Sequence, residues 1–516
     1  MSTHDTLTGA ILETFQVIPR KTAVHFKDRS MTYGQLDAAS GRLAQALASL
    51  GASKGDRVCL YIPNSIEFVV SYLANLKLEL ITIPTNILYR ETELAHILED
   101  SGAKVIYTHS SNLDVIRKVK RESGRLERTI VIGPGEELGE GEIAFEELMD
   151  AFPEGGGLAA PAPQPDDVVG IFYTSGTTGR SKGAALTQKN LISNIRALIG
   201  AWRLSENDRI LLCLPLFHMH GLHNGLHGAL VTGMSVFLHE RFYAGPVLES
   251  LARDGCTLFY GVPTMYKRLL EAADAEAADQ HDLSGMRLFV SGSAPLPAGD
   301  LRRFEEAFGH TVLERYGMSE TAMNISNPYE GERRPGSIGF PLPGVSIRIV
   351  NEDGKDCEDE EVGEIWIKGD NVFKGYWNRP TATRESFTQD GWFKSGDLGK
   401  RSGDGYYTIV GRSKDLIISS GFNVYPREIE ELILKRGDVV ECVVIGVPDP
   451  VKGEVIKCYV VPREGKTLTE GDITGYCREK LASFKVPRKV VFLKELPRTP
   501  TGKVMKHKLM IQPMNY

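Results

Sequence analysis

Residues 166–198 read DDVVGIFYTSGTTGRSKGAALTQKNLISNIRAL, and this stretch decides the fold of the first part of the chain. An apolar run is followed by a glycine-rich loop and then by a helix-like stretch that begins after Thr187. A short apolar run predicts a buried strand, and threonine is a favoured residue at the N-cap of a helix. The segment therefore predicts a strand, a loop and a helix within an α/β sheet.

The glycine-rich loop, YTSGTTGRSKG (173–183), combines glycines, hydroxyl side chains and two cations, Arg180 and Lys182. Backbone N–H groups, hydroxyls and cations together suit a polyphosphate. The spacing is not that of the Walker A motif, because Lys182 precedes a glycine rather than a serine or threonine. It is not the dinucleotide fingerprint either. The alternative to a phosphate site is a polar turn between two elements, which the cations and the preceding strand make the weaker interpretation.

The rest of the sequence predicts two domains. Before residue 150, helix-like stretches alternate with short apolar runs, and 153–167 is a loop or subdomain boundary rich in Pro, Gly and Ala. Short strand patterns after residue 350 indicate a β-rich subdomain. We therefore predict an α/β fold with a large amino-terminal domain, residues 1–410, and a small α+β carboxy-terminal domain, residues 411–516.

Length, charge and cysteine usage exclude several classes of protein. The 516 residues exceed what one hydrophobic core usually organises, and no uncharged apolar run approaches the roughly 18 residues that would span a bilayer. A net charge of −7 argues against a surface built to bind nucleic acid. The seven cysteines stand singly, and the opening 16 residues lack a secretory signal pattern. We predict a cytoplasmic protein with reduced thiols and no membrane span.

Seven motifs occur in order along nearly the whole chain. They are YTSGTTGRSKG (173–183), LPLFHMHG (214–221), GSAPL (292–296), ERYGMSET (314–321), WFKSGDLG (392–399), GRSKDLIISSGFNVYPREIE (411–430) and PRTPTGK (497–503). Together they resemble the adenylate-forming superfamily of acyl-CoA synthetases, firefly luciferase and peptide-synthetase adenylation domains. The resemblance implies an acyl-CoA synthetase-like fold with a mobile carboxy-terminal domain. It also implies that ATP converts a carboxylic acid into an acyl-adenylate, from which coenzyme A displaces AMP.

The resemblance assigns residues to the nucleotide and its metal. Glu320 would supply a carboxylate for Mg²⁺, Thr321 would contact the α-phosphate, and Asp397 would accept hydrogen bonds from the ribose with Arg412 as its partner. The β- and γ-phosphates would be bound by Thr174, Ser175, Gly176, Thr177, Thr178, Gly179 and Lys182. The adenine would lie near Tyr316, Gly317, Ser293, Ala294 and Pro295.

The same resemblance assigns three residues to catalysis and domain motion. Lys503 would be the catalytic lysine of adenylation, because an ammonium between the carboxylate and the α-phosphate neutralises charge as the bond forms. Lys414 would be the hinge of the small domain, and Gly421 would approach the pantetheine of coenzyme A. The segment around Lys503 also resembles sites of regulatory lysine acetylation, which would remove that charge.

The choice of acid rests on a closer resemblance. Residues 286–296 and 312–345 resemble malonyl-CoA synthetases, which activate malonate and sometimes methylmalonate. This implies that Arg287 binds the distal carboxylate, that His218 lines the acyl pocket, and that Met323 shapes its wall; a packed polar histidine is the alternative for His218. Ala322 departs from the family pattern, in which we expect asparagine.

Other functions stay open on sequence alone. Within the superfamily, the alternative is a medium-chain, branched or aromatic monocarboxylate:CoA ligase. A luciferase-like oxidase, a peptide-synthetase module and a non-catalytic nucleotide sensor are further alternatives, of which only the sensor would function without acid-dependent release of pyrophosphate.

Overall fold

Two large sheets carry most of the strands in the amino-terminal part of the chain. The computed structural model describes residues 5–123, 126–134, 137–152, 162–174, 180–276, 281–419, 422–449, 453–498 and 504–510. The strands before residue 330 are β1 (Thr22–Phe26), β2 (Arg29–Thr32), β3 (Arg57–Tyr61), β4 (Ile81–Pro84), β5 (Val105–His109), β6 (Arg128–Ile132), β7 (Glu142–Ala144), β8 (Val168–Thr174), β9 (Lys182–Thr187), β10 (Arg209–Leu212), β11 (Ser235–Leu238), β12 (Leu258–Gly261), β13 (Leu288–Ser291), β14 (Leu313–Met318) and β15 (Ala322–Ser326).

The strands after residue 330 pair mostly in antiparallel fashion. They are β16 (Phe340–Pro341), β17 (Val345–Val350), β18 (Gly363–Gly369), β19 (Gly375–Tyr376), β20 (Phe393–Arg401), β21 (Tyr407–Arg412), β22 (Ile417–Ser419), β23 (Phe422–Val424), β24 (Val439–Asp449), β25 (Gly453–Pro462) and β26 (Lys489–Phe492).

Helices cover the sheets on both sides. They are α1 (Leu7–Val17), α2 (Tyr33–Ser49), α3 (Ile66–Lys77), α4 (Glu91–Ser101), α5 (Leu113–Ser123), α6 (Phe145–Asp150), α7 (Gln188–Trp202), α8 (Gly228–Thr232), α9 (Ala244–Arg253), α10 (Pro263–Glu276), α11 (Ala298–Phe308), α12 (Pro380–Ser386), α13 (Pro426–Leu434), α14 (Glu470–Lys480) and α15 (Lys506–Met510), with a π-helix at His220–His227 directly before α8. None of the helices in the described ranges combines the length and the apolar character needed to cross a membrane.

In the described part of the chain, strand order defines four sheets. One runs β16-β15-β14-β13-β12-β10-β11-β1-β2 and another β19-β9-β8-β4-β3-β5-β6-β7; both are mainly parallel. One apolar core contains side chains from both sheets and from α1, α2, α3 and α7. The antiparallel sheet β17-β18-β20-β21 forms the β-rich part, and the last sheet, β23-β22-β25-β24 with β26 beside β25, packs on α13 and α14. The predicted α/β architecture with a large and a small domain is confirmed.

The stretch that decides the fold contains one more strand than its pattern predicts. Thr187 is the N-cap of α7, and its hydroxyl accepts a hydrogen bond from the Asn190 N–H, as the sequence indicates. The loop leads first into β9, which returns antiparallel to β8, and only then into α7. The run KGAALT (182–187) is short and mostly apolar, so the spacing of its apolar residues does not distinguish a strand from the start of a helix.

Sheet pairing continues across the predicted domain boundary. β21 pairs with β20 through Gly411 and Arg412, which lie beyond residue 410, and the sheet of the small domain begins with β22. The boundary between residues 410 and 411 stays a prediction.

Arg287 lies at the amino end of β13 and forms a bidentate ion pair with Asp208. Its Nε and one Nη each lie 2.7 Å from an Asp208 carboxylate oxygen, and further N–H groups donate to the carbonyls of Trp202 and Arg203. Burial alone would raise the pKa of Asp208, but the hydrogen bonds from Arg287 and its neighbours hold it below its ordinary value. These contacts use the donors of Arg287 at the end of β13 opposite GSAPL, and the substrate-binding role of Arg287 stays a prediction.

We expect Arg287→Met to lower the free energy of unfolding by about 3 kcal/mol, because it leaves a buried carboxylate without its partner. Arg253→Met is the matched control, since Arg253 is 68% exposed and pairs with Glu249 along one helix; it should cost less than about 1 kcal/mol. Thermal unfolding of the two variants provides the comparison. Equal melting temperatures would show that the Arg287–Asp208 pair does not stabilise the fold.

Candidate active site

The predicted nucleotide residues gather where parallel strands end. β12, β13 and β14 are parallel neighbours, so their carboxyl ends meet at one edge of the sheet. The loop after β13 exposes Ser293, Ala294 and Pro295 at this edge. Gly317 lies in β14, where a Cβ would come 2.2 Å from the Ala322 carbonyl oxygen. This close approach explains the glycine in the ERYGMSET motif.

Asp397 contacts two other residues that the sequence assigned to the nucleoside site, Tyr316 and Arg412. Its side chain is buried, the Tyr316 hydroxyl donates to it over 2.6 Å, and Arg412 Nε lies 2.9 Å from its other oxygen. Asp397 and Arg412 face each other across β20 and β21. Burial opposes the charge on Arg412, but the Asp397 carboxylate holds the pKa of Arg412 above its ordinary value. A carboxylate fixed in this way can accept hydrogen bonds from ribose hydroxyls.

Glu320 lies in the turn between β14 and β15 and is 7% exposed. Its Oε1 accepts a hydrogen bond of 3.0 Å from the Tyr376 hydroxyl, and its carbonyl accepts one from the Phe373 N–H. Burial raises the pKa of Glu320, while the Tyr376 hydrogen bond favours the charged form. Next to it, Thr321 is buried and its hydroxyl accepts from the Asn324 amide over 2.7 Å.

This arrangement fits a magnesium ion that is held partly by its nucleotide. Within the described ranges, no three His, Cys, Asp or Glu side chains converge as metal ligands. Mg²⁺ is commonly bound by one or two carboxylates together with phosphate oxygens and water. Glu320 would hold it here, and the ion would neutralise charge on the phosphates.

The two described ends of the glycine-rich loop lie opposite each other. Thr174 pairs with Lys182 across β8 and β9, and its hydroxyl donates to the Lys182 carbonyl over 3.4 Å. The Lys182 ammonium lies 4.7 Å from the centre of the Tyr376 ring. Tyr376 thus contacts both Lys182 and Glu320, although the sequence motifs did not identify it.

Seven of the assigned residues lie outside the described residues, and their roles stay predictions. They are Ser175, Gly176, Thr177, Thr178, Gly179, Gly421 and Lys503. The predicted hinge, Lys414, is described; burial lowers its pKa, and the next residue, Asp415, pairs with Lys506 over 3.1 Å.

A π-helix begins at His220, within the segment that the sequence assigned to the acyl pocket, and such helices are frequent at functional sites. His218 precedes it, and its Nδ1 accepts a hydrogen bond from the His220 N–H. His220 is buried, and its Nδ1 lies 3.5 Å from the Ser293 hydroxyl. Burial, with the nearby charge of Arg315, lowers the pKa of His220 well below its ordinary value, so the ring is neutral at neutral pH.

The main chain of Met323 is hydrogen-bonded to a buried polar network. Asn194 accepts from the Met323 N–H over 3.1 Å and donates to the Met323 carbonyl over 2.6 Å. His223 Nε2 lies 3.0 Å from the Asn194 carbonyl oxygen, and burial lowers the pKa of His223 to about 3. The preceding residue, Ala322, has a φ of 49°, a left-handed conformation that asparagine tolerates better than alanine. The expected family residue would therefore suit this backbone.

Arg315 is the cation that sequence reasoning missed. It lies in β14, is 4% exposed, and its Nε and one Nη are buried without a hydrogen-bond partner among the described residues. A Cβ on Gly292 would come 2.4 Å from its guanidinium carbon, so the group lies directly against the GSAPL loop. Burial lowers the pKa of Arg315, yet the guanidinium stays charged at neutral pH. The motif ERYGMSET contains this residue, but the sequence alone does not show that its side chain is buried and that these two nitrogens have no partner among the described residues.

Comparisons with known proteins identify the family of this chain. The family model "AMP-binding enzyme" matches residues 13–377, and the model "AMP-binding enzyme C-terminal domain" matches residues 428–503. The chain is 38% identical to a sulfoacetate–CoA ligase of Cupriavidus necator, over 93% of this chain and 92% of that one. It is 34% identical to a malonate–CoA ligase of Arabidopsis thaliana, over 95% of this chain and 86% of that one.

A solved structure gives the same result. The crystal structure of ATP-bound MatB from Rhodopseudomonas palustris superposes with a TM-score of 0.91, at 38% identity and with 98% of each chain covered. The resemblance to adenylate-forming enzymes is therefore confirmed. The chain belongs to the AMP-binding enzyme family and is an AMP-forming acid:CoA ligase, a class that works with ATP, coenzyme A and Mg²⁺.

Proposed function

We propose that this ligase activates a small carboxylic acid that carries a second anionic group, with malonate as the first candidate and sulfoacetate as a close analogue. The observation that carries the proposal is the buried Arg315 guanidinium beside the GSAPL loop, which has no anionic partner among the described residues. The relatives named as sulfoacetate and malonate ligases support it, since both of those acids carry two anions.

Electrostatics explain why the second group should be an anion. Removing a guanidinium from water costs several kcal/mol unless a counter-ion and hydrogen bonds compensate for the loss. Asp208 compensates Arg287, and Asp397 compensates Arg412. Arg315 has neither, so a ligand that brings its own anion gains a charge-assisted and bidentate contact. A monocarboxylate would leave the cation unpaired.

The surrounding polar groups favour a short ligand. Tyr260 has an unpartnered buried hydroxyl and, from the strand register, lies on the same face of the sheet as Arg315. Unpartnered buried nitrogens also occur at His220 and at Asn224, one turn further along the π-helix. Such groups can orient oxygens of a carboxylate or sulfonate, whereas an alkyl or aromatic chain would leave them unsatisfied.

In the reaction, an oxygen of the first carboxylate attacks the α-phosphorus of ATP, and pyrophosphate leaves. The sulfur of coenzyme A then attacks the acyl carbonyl, loses its proton, and AMP leaves. Glu320, Thr321 and Lys182 would bind the metal and phosphates, and Asp397 with Tyr316 would hold the nucleoside. Lys503 would act in the first step, and rotation about Lys414 would bring Gly421 towards coenzyme A for the second.

A panel of acids tests the proposal. Acetate, propanoate, octanoate, benzoate, malonate, methylmalonate and sulfoacetate are compared by the rate of acid-dependent AMP formation with coenzyme A. We expect kcat/KM for malonate or sulfoacetate to exceed that for propanoate by at least about tenfold, or 1.4 kcal/mol. A preference for octanoate or benzoate would instead support the monocarboxylate ligase.

Arg315→Met should remove this preference. We expect kcat/KM for the dianionic acid to fall by a factor equivalent to about 2 to 5 kcal/mol of lost transition-state stabilisation. The kcat/KM for propanoate should change much less, because only the second anion loses its partner. Arg287→Met is the matched control at the other end of the sheet, and it should keep the acid preference of the wild type. A parallel loss for both acids in Arg315→Met would assign the guanidinium a structural role only.

Lys503→Ala should separate the two half-reactions. Pyrophosphate release should fall by about 10² or more, because one charge that stabilises the transition state is lost, while thioester formation from a supplied acyl-adenylate stays within a few-fold. Acetylation of Lys503 should have the same effect, since it also removes the charge. Lys494→Ala is the control, because Lys494 is an exposed lysine of the same predicted carboxy-terminal domain. Equal loss of both steps would contradict the role proposed for Lys503.

A further inference from the structure

Tyr376 lies between the two opposite charges that the nucleotide site needs. Its ring is 4.7 Å from the Lys182 ammonium, and its hydroxyl is 3.0 Å from Oε1 of Glu320. One face of the residue therefore contacts the cation, and its polar end donates to the anion. An ammonium over an aromatic ring and a hydroxyl on a carboxylate are both favourable contacts.

The main chain fixes this position. β19 pairs with β9, which places Tyr376 opposite Ala184, and the Trp377 N–H donates to the Gly183 carbonyl over 2.8 Å. At the other end of the segment, the Phe373 N–H donates to the Glu320 carbonyl over 2.8 Å. The segment thus connects the strand after the glycine-rich loop to the turn that carries Glu320.

Among the described residues, no direct ion pair joins Lys182 and Glu320; Tyr376 contacts each of them instead. In the described part of the chain, the Lys182 ammonium has an aromatic ring as its partner rather than a carboxylate. A pair in this partly buried site would be strong, because low dielectric increases the attraction between charges. It would also occupy the cation meant for phosphate and the carboxylate meant for the metal.

We propose that Tyr376 is a positioning residue that keeps Lys182 and Glu320 apart while it contacts each, so that both stay available for the magnesium complex of ATP. The inference rests on the roles proposed above for Lys182 and Glu320. It does not depend on the proposal for the acid, because Arg315 is assigned above to the acid and not to ATP.

Calorimetric titration with ATP, in excess Mg²⁺ and in EDTA, separates the two contacts. Tyr376→Phe keeps the ring and removes the hydroxyl. Its affinity for metal-free ATP should stay within about twofold of wild type, while the gain in affinity produced by Mg²⁺ should shrink by about tenfold or more. The reason is that Glu320 loses the donor that orients it.

Tyr376→Ala removes the ring as well and lets Lys182 approach Glu320. We expect metal-free ATP to bind at least about fivefold more weakly, because the ammonium must first leave the carboxylate. Glu320→Gln in the same chain removes the competing anion, so the double variant should bind metal-free ATP as tightly as Glu320→Gln alone. This recovery distinguishes separation of charges from a loss of packing.

Tyr406→Phe is the matched control, since its hydroxyl donates to the Glu332 carbonyl away from this site, and it should change neither quantity. An undiminished Mg²⁺ effect in Tyr376→Phe would overturn the proposal, and so would a weakening in Tyr376→Ala that persists in the double variant. If thermal unfolding shows that Tyr376→Ala does not fold, Tyr376→Phe decides the outcome. Failure of the acid panel would leave these results unaffected, so the two hypotheses are tested separately.

Discussion

A buried guanidinium without a counter-ion is the constraint on which the substrate site depends. Arg315 extends from β14 against Gly292, where any side chain would collide with it, and its buried nitrogens have no partner among the described residues. A fold tolerates such a cation only if packing holds it there, since the unpaired charge opposes folding. When an anion binds, it pairs with Arg315 and the free-energy cost of the unpaired charge is relieved. The burial of Arg315 therefore affects both the stability of the free protein and the choice of acid.

The other charges of the site differ from Arg315 in having partners. Arg287 is neutralised by Asp208 at the amino end of the sheet, and Arg412 by Asp397 at the nucleoside site. Lys182 rests on an aromatic ring, a weaker contact that phosphate can replace. Among the described residues, Arg287 and Arg412 are thus paired with carboxylates, whereas Lys182 and Arg315, which we assign to ligands, have no carboxylate partner.

Much of the fold follows from local patterns. The α/β alternation and the N-cap of α7 at Thr187 are predicted in this way, because each depends on residues that are close together in the chain. The motifs also bring Asp397, Arg412 and Tyr316 together, as observed. The local pattern of residues 182–187 does not show that they pair with β8, so it does not predict β9. The choice between Arg287 and Arg315 depends on Asp208, a partner distant in sequence, and Tyr376 acts through contacts with residues far along the chain.

The most direct test of the account is a crystal structure of the protein with the acyl-adenylate of malonate or sulfoacetate bound. We predict that an oxygen of the second anion lies within about 2.7 to 2.9 Å of an Arg315 guanidinium nitrogen, the range of charge-assisted hydrogen bonds. A second anion that contacts another cation or solvent, while Arg315 bonds only to protein atoms or water, would contradict it.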